Sequence, residues 1–177
     1  MALRMASAIP ARVIQVLQDR LPAELDLIDA EEADGITTGD VSNEDYFEFD
    51  RDMLHADQFP AVTLNLREID PIEVLPDLHG QRLDARYIVD VKIHVRRQID
   101  VDDATRLQKL IHRYTAGIFR VLFVMYEKLQ TIADPTQFAE IVTPAGSVNL
   151  GPEAAQGSGS FVRTATIPVS VRRREAR

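Results

Sequence analysis

Leu83-Asp84-Ala85-Arg86-Tyr87-Ile88-Val89-Asp90-Val91-Lys92-Ile93-His94-Val95-Arg96-Arg97-Gln98-Ile99 is the stretch whose reading decides the fold. From Ala85 its odd positions are Ala85, Tyr87, Val89, Val91, Ile93 and Val95, with Arg97 the charged break before Ile99. The even positions are Arg86, Ile88, Asp90, Lys92, His94, Arg96 and Gln98. Period two held this long predicts one strand with a buried and a wet face, well beyond the common length of about 5 to 6 residues.

Immediately downstream, Asp100-Val101-Asp102-Asp103 supplies a helix N-cap and puts negative charge at the positive end of the helix dipole. Leu107, Leu110, Ile111, Tyr114, Ile118, Leu122 and Met125 then form one apolar stripe, with Arg106, Lys109, Arg113 and Arg120 on another side. From Ile118 onward the pattern changes, because Phe119, Phe123, Val124 and Tyr126 cover faces that were polar one turn earlier. A helix end that is apolar all round must be buried from every side, by a second layer of its own subunit or by another subunit. Phe119, Phe123 and Tyr126 are the candidate subunit-interface residues.

Upstream, Ser7 caps a predicted helix over residues 9–21 with Val13, Val16, Leu17 and Leu21 on one face. Pro22 is expected to end it or to open a second short helix. Tyr46-Phe47-Glu48-Phe49 reads as a short strand, and Val62, Leu64 and Leu66 alternate with Thr63, Asn65 and Arg67 in a clearer one. Pro71, Pro76 and Gly80 predict an irregular excursion over residues 70–82 between that strand and the long one, the two pairing antiparallel. Residues 133–160 read as a long Pro/Gly-rich loop. A last strand over residues 161–171 follows, placed at an edge or bulge by Pro168, and then a basic tail, 172–177. The expectation is one α+β domain over residues 1–177: a mixed or antiparallel sheet of about four strands, with N-terminal and central long helices packed on one face.

The 177 residues suffice for one real core, and the absence of cysteine excludes disulfides, thiolate metal sites and cysteine nucleophiles. No signal-type h-region and no long uncharged apolar window is present, so neither a signal peptide nor a membrane span is expected. The net charge of −8 is uneven: residues 24–57 hold thirteen acids and one base, leaving +4 for the rest. That segment is a solvated surface or a negative one that repels nucleic acid or docks a basic partner.

His55, His79, His94 and His112 lack ligand spacing, and Glu48, Asp50 and Asp52 lack the glycine and terminal glutamate of a calcium loop. No Gly-x-Ser-x-Gly elbow, Walker lysine motif or Gly-x-Gly-x-x-Gly opens a helix, so no catalytic, metal or cofactor residue is assigned and an enzyme is not expected. The bases Arg106, Lys109, Arg113 and Arg120 are read as partners of the chain's own acids in preference to phosphate contacts.

The order of N-terminal helix, strand ending in Phe59-Pro60-Ala61-Val62-Thr63-Leu64, long alternating strand and capped helix with Arg113-Tyr114 midway resembles the tail terminator or tail-completion (neck) proteins of tailed bacteriophages. The resemblance covers most of residues 7–126 and, more loosely, 161–171. It implies a structural virion protein of the tail or neck, assembled in the host cytoplasm. Such a protein forms a homohexameric ring that caps the tail tube, joins it to the neck connector protein and lets double-stranded DNA pass without sequence-specific binding. An acidic lumen would suit that passage, with Glu31, Glu32 and Asp34 as the channel-facing candidates. The alternatives are another neck or baseplate component, or a small cytoplasmic enzyme with dispersed carboxylates.

Overall fold

A computed structural model of the chain describes residues 8–49, 54–55, 57–77, 80–98, 104–125, 129–130, 138–139, 141–155 and 160–176. Helix α1 (Ala8–Glu32) leads through a 3-10 turn (Asn43–Asp45) to strand β1 (Tyr46–Phe47) and the long strands β2 (Ala61–Asp77) and β3 (Gly80–Gln98). Helix α2 (Ala104–Phe119) continues into a π-helical turn (Arg120–Met125). The short strands β4 (Leu129–Gln130), β5 (Phe138–Ala139), β6 (Ile141–Pro144), β7 (Asn149–Leu150) and β8 (Ala154–Ala155) follow, and β9 (Ser160–Ala176) closes the chain.

The main sheet is mixed and has seven strands, in the order β1-β2-β3-β9-β6, with β7 and β8 also on β9. Among the described residues only the β1–β2 pair is parallel. The α+β architecture and the antiparallel β2–β3 pair agree with the sequence reading, whereas the count of about four strands is too low. The extra strands are two to four residues long, too short for alternation to reveal.

Five further expectations fail for identifiable reasons. Residues 70–82 form no irregular excursion: β2 and β3 pair as far as Asp77 opposite Gly80. Pro71 and Pro76 fit because they face Ala85 and Gln81, both odd positions of β3, the bulge at Ile72 having kept them in phase. Pro168 of β9 faces Asp90, an even position, and its carbonyl accepts from the Ala145 amide on the far side. Even positions of β3 therefore bond toward β2 and odd ones toward β9, so all three prolines direct their missing N–H away from β3. Pro168 is also not at an edge, since it falls in the gap between the β6 and β7 pairings.

The expected loop 133–160 instead contains β5 to β8. β6, β7 and β8 lie in turn along β9 as one interrupted strand, broken around Pro144-Ala145-Gly146 and at Gly151-Pro152. The tail is likewise not a tail through Ala176, because Arg172 to Ala176 pair with Arg86 to Arg82 as the end of β9. Pro22 does not end the first helix, which passes through it to Glu32. The lost backbone bond is offset by packing on either side of it, since Leu21, Leu25 and Ile28 are all buried. The expected caps at Ser7 and residues 100–103 lie outside the described residues.

Both helices cover one face of the sheet. The core joins Val13, Leu17, Leu21 and Leu25 of α1 to Leu107, Ile111, Ile118 and Leu122 of the second helix and the odd positions of β3. Contacts progress from Asp34–Lys109 through Asp29–Arg113 to Leu21 beside Gly117, so the helices run antiparallel. A Cβ on Gly117 would sit 2.9 Å from Leu21 Cδ1 and 3.0 Å from Leu25 Cδ2, so glycine sets this close approach. Arg97 ends the apolar run by stacking on Phe161, 4.7 Å from the ring centroid, with Glu153 at 2.5 Å. The other face of the sheet carries the even positions of β3. Near β1 it is covered by a small cluster of Phe47, Leu54, Ala61 and Phe59, which buries Thr63.

Candidate functional site

The candidate surface is assembled by α1, the loop after it and α2, and its charges are organised around Arg113. Arg113 is 4 % exposed and stands between the apolar Ile111 and Tyr114 of the helix. Its Nη1 donates to Asp29 Oδ1 at 2.9 Å and to the Ile36 carbonyl, and its Nη2 donates to Asp34 Oδ1 at 2.5 Å. Lys109 Nζ reaches Asp34 Oδ2 at 2.9 Å, and Arg120 grips Glu31 with two bonds of 3.0 and 2.6 Å.

The loop is fixed from its own side too. Asp29 Oδ2 accepts from the Thr38 amide at 2.6 Å and hydroxyl at 2.9 Å, and Tyr114 Oη donates to the Gly39 carbonyl at 2.5 Å. Positive φ at Ala33 and Gly35 turns the chain back toward α2. These bonds hold the backbone polar groups of an exposed loop against a helix, so the seam is a clamp.

Protonation equilibria follow the same geometry. Hydrogen bonds from Arg113, then Lys109, then the Ile36 amide hold the Asp34 carboxyl well below the usual carboxylate range. The Arg120 hydrogen bond lowers Glu31. Burial alone would pull Arg113 down, and the Asp34 and Asp29 carboxylates more than offset it. Burial raises Tyr114 and Tyr46.

Of the sequence-derived acidic candidates, Glu31 and Asp34 thus meet basic side chains of α2, and Glu32 is exposed at the helix end. The pairing of Lys109, Arg113 and Arg120 with the chain's own acids is what the sequence reading preferred. Asp29 and Thr38 were missed as clamp partners. Neither belongs to a motif, and an aspartate in an acid-rich run gives no signal of its own.

The aromatic end of α2 is divided between interior and surface. Ile118, Val121 and Leu122 are buried in this chain, where the π turn packs against α1 and β6. Phe119 is 38 % exposed and meets the half-buried Phe123 edge-on, with centroids 4.7 Å apart and planes at 66°. Tyr126 lies outside the described residues. Leu27, 53 % exposed, follows Glu24 by three positions and precedes Glu31 by four, so it shares the α1 stripe that reaches Arg120 beside Phe119.

The open face of the sheet is polar. His94 bridges strands through its two ring nitrogens, Nε2 with Thr63 Oγ1 at 3.0 Å and Nδ1 with Thr164 Oγ1 at 2.9 Å. Arg86 holds Asp70 at 2.6 Å and Arg67 approaches Asp90 at 3.4 Å. Among the described residues no group of three or more His, Cys, Asp or Glu side chains is placed to hold a metal, and no helix is long and apolar enough to cross a membrane. No protein-family model matches the chain, and no curated protein matches it.

Proposed function

We propose that the chain is a structural virion protein, a tail terminator that forms a homo-oligomeric ring, as a hexamer, capping the tail tube and joining it to the neck connector. The observation that carries this reading is the aromatic pair at a π-helical helix end, the exposed Phe119 edge-on to the half-buried Phe123, with the exposed Leu27 on α1. Large apolar side chains left in water beside an otherwise closed core are what a subunit contact covers, and π turns concentrate at functional positions. The architecture is in keeping with it: a two-layer α+β unit whose clamped loop presents a fixed shape to neighbours.

In the ring the loop end of the molecule faces the channel. Glu31 and Asp34 sit there with their charges offset by Arg120, Arg113 and Lys109. The exposed Glu32, Asp40 and Glu44 supply the repulsion that keeps passing DNA from adhering. The protein carries no catalytic step in this reading and takes no cofactor.

Electron microscopy and light scattering of the purified full chain, alone and co-expressed with a tail-tube protein, test the proposal. Rings of uniform size on tube ends are expected. A chain that stays monomeric at every concentration and leaves tube length unchanged would overturn it. Phe119→Asp, at the exposed ring of the pair, is expected to abolish ring formation with the monomer still folded.

A further inference from the structure

The β3–β9 register sets Arg86 directly opposite Arg172 on the face that the helices leave open, and both are exposed. Like charges directly opposed across an antiparallel pair repel. Asp70 sits at 2.6 Å on the β2 side of Arg86 and so relieves part of that repulsion. The same face of β3 continues through Ile88, Lys92 and Arg96, with Asp90 the acid among these positions, and β9 contributes no acid from Ser160 to Arg172. The β3–β9 strip is therefore net basic, in a chain whose overall charge is −8.

The opposite side of the molecule has the complementary character. The outer face of α1 exposes Asp19, Asp26 and Leu27 together with the small Ala23 and Ala30. Asp19 has Arg20 at 2.8 Å. Small residues around a protruding leucine allow another surface to approach closely, and the acids rim that apolar spot.

We propose that the open β3–β9 face of one copy receives the outer α1 face of a second copy of this chain. Asp19 and Asp26 meet the Arg86–Arg172 pair, and Leu27 packs on Ile88. The two surfaces belong to opposite layers of the same chain, so the contact is head-to-tail, the kind that closes into a ring when its rotation permits. The proposal rests on the ring reading above and adds a second pair of contact surfaces to the Phe119–Phe123 end.

Charge reversal tests it in the full-length chain. One variant carries Asp19→Lys and Asp26→Lys, the other Arg86→Glu and Arg172→Glu, and circular dichroism checks that both fold. Each alone faces like with like, and its assembly midpoint by light scattering should rise about tenfold or more. Mixed in equal amounts, the two variants restore both contacts and should assemble again, and wild-type assembly should weaken as salt is raised. Variants that each assemble at the wild-type midpoint, or an equal mixture that stays dissociated, would overturn the docking surfaces while leaving the ring reading standing. A wild-type chain that never assembles, with or without tubes, would overturn both.

Discussion

Tyr87 and Ile88 are neighbours in β3, yet Tyr87 is 1 % exposed beneath the helices while Ile88 lies half-buried on the other side, opposite Glu68 and Ser170. The helix-covered face gains its stability from area removed from water and tolerates no gap. The open face relies on cross-strand pairs, each worth little alone. Folding information is thus concentrated on one side of the sheet, and the other side is free to be specialised for contact.

Truncating the covered face should have the largest effect. Tyr87→Ala is expected to cost about 3–5 kcal/mol in urea unfolding, from lost burial plus the cavity left behind. Arg113→Met tests whether the clamp ranks with the core. It strands Asp29 and Asp34, whose partial exposure moderates the penalty for breaking a buried pair to about 2–3 kcal/mol. Lys109→Met, at a more exposed bond to the same Asp34, should stay within about 0.5 kcal/mol. Gly117→Val drives atoms into Leu21 and Leu25 and should cost about 1–3 kcal/mol, read as a lowered midpoint.

Acid should loosen the clamp before the core. The Asp34 and Glu31 carboxyls have lowered values in the folded chain, so their contribution is complete above the ordinary carboxylate range and is lost as pH falls from that range down through the lowered values. Hydrogen-exchange protection of the Ile36 amide, which donates to Asp34 Oδ1, should therefore fall below about pH 4, and Asp34→Asn should remove most of that dependence. Smallest for stability should be Arg86→Glu on the open face, within about 0.5 kcal/mol in the monomer. A large loss there would show that the open face belongs to folding after all, and the contrast between the faces would collapse.

The sequence made one half of this contrast plain and concealed the other. Alternation in β3 and the stripe of α2 are periodic, and so their burial could be read directly. The β2–β3 hairpin was hidden because Pro71 and Pro76 signal a break unless their phase relative to β3 is known, and the bulge at Ile72 that sets that phase has no sequence mark. Residues 141–155 were hidden because pieces of two to four residues carry no period. The clamp was half legible: opposite charge on α2 and the acidic segment suggested pairing, but the loop geometry that brings Asp29, Asp34 and Ile36 around one guanidinium is a tertiary fact.

The prolines and the interrupted strand have a further consequence. A sheet with strands of 17 and 19 residues is a template for fibre growth if either border can hydrogen-bond to another chain. On the β2 border Pro71 and Pro76 delete outward donors, and bulges at Arg67 and Ile72 spoil the spacing. On the opposite border the strand beside β9 comes in three fragments with mismatched registers. Neither border offers the regular ladder that amyloid-like stacking copies. Copies of this chain are left to recognise one another through side chains, a mode of association that can stop at a fixed number.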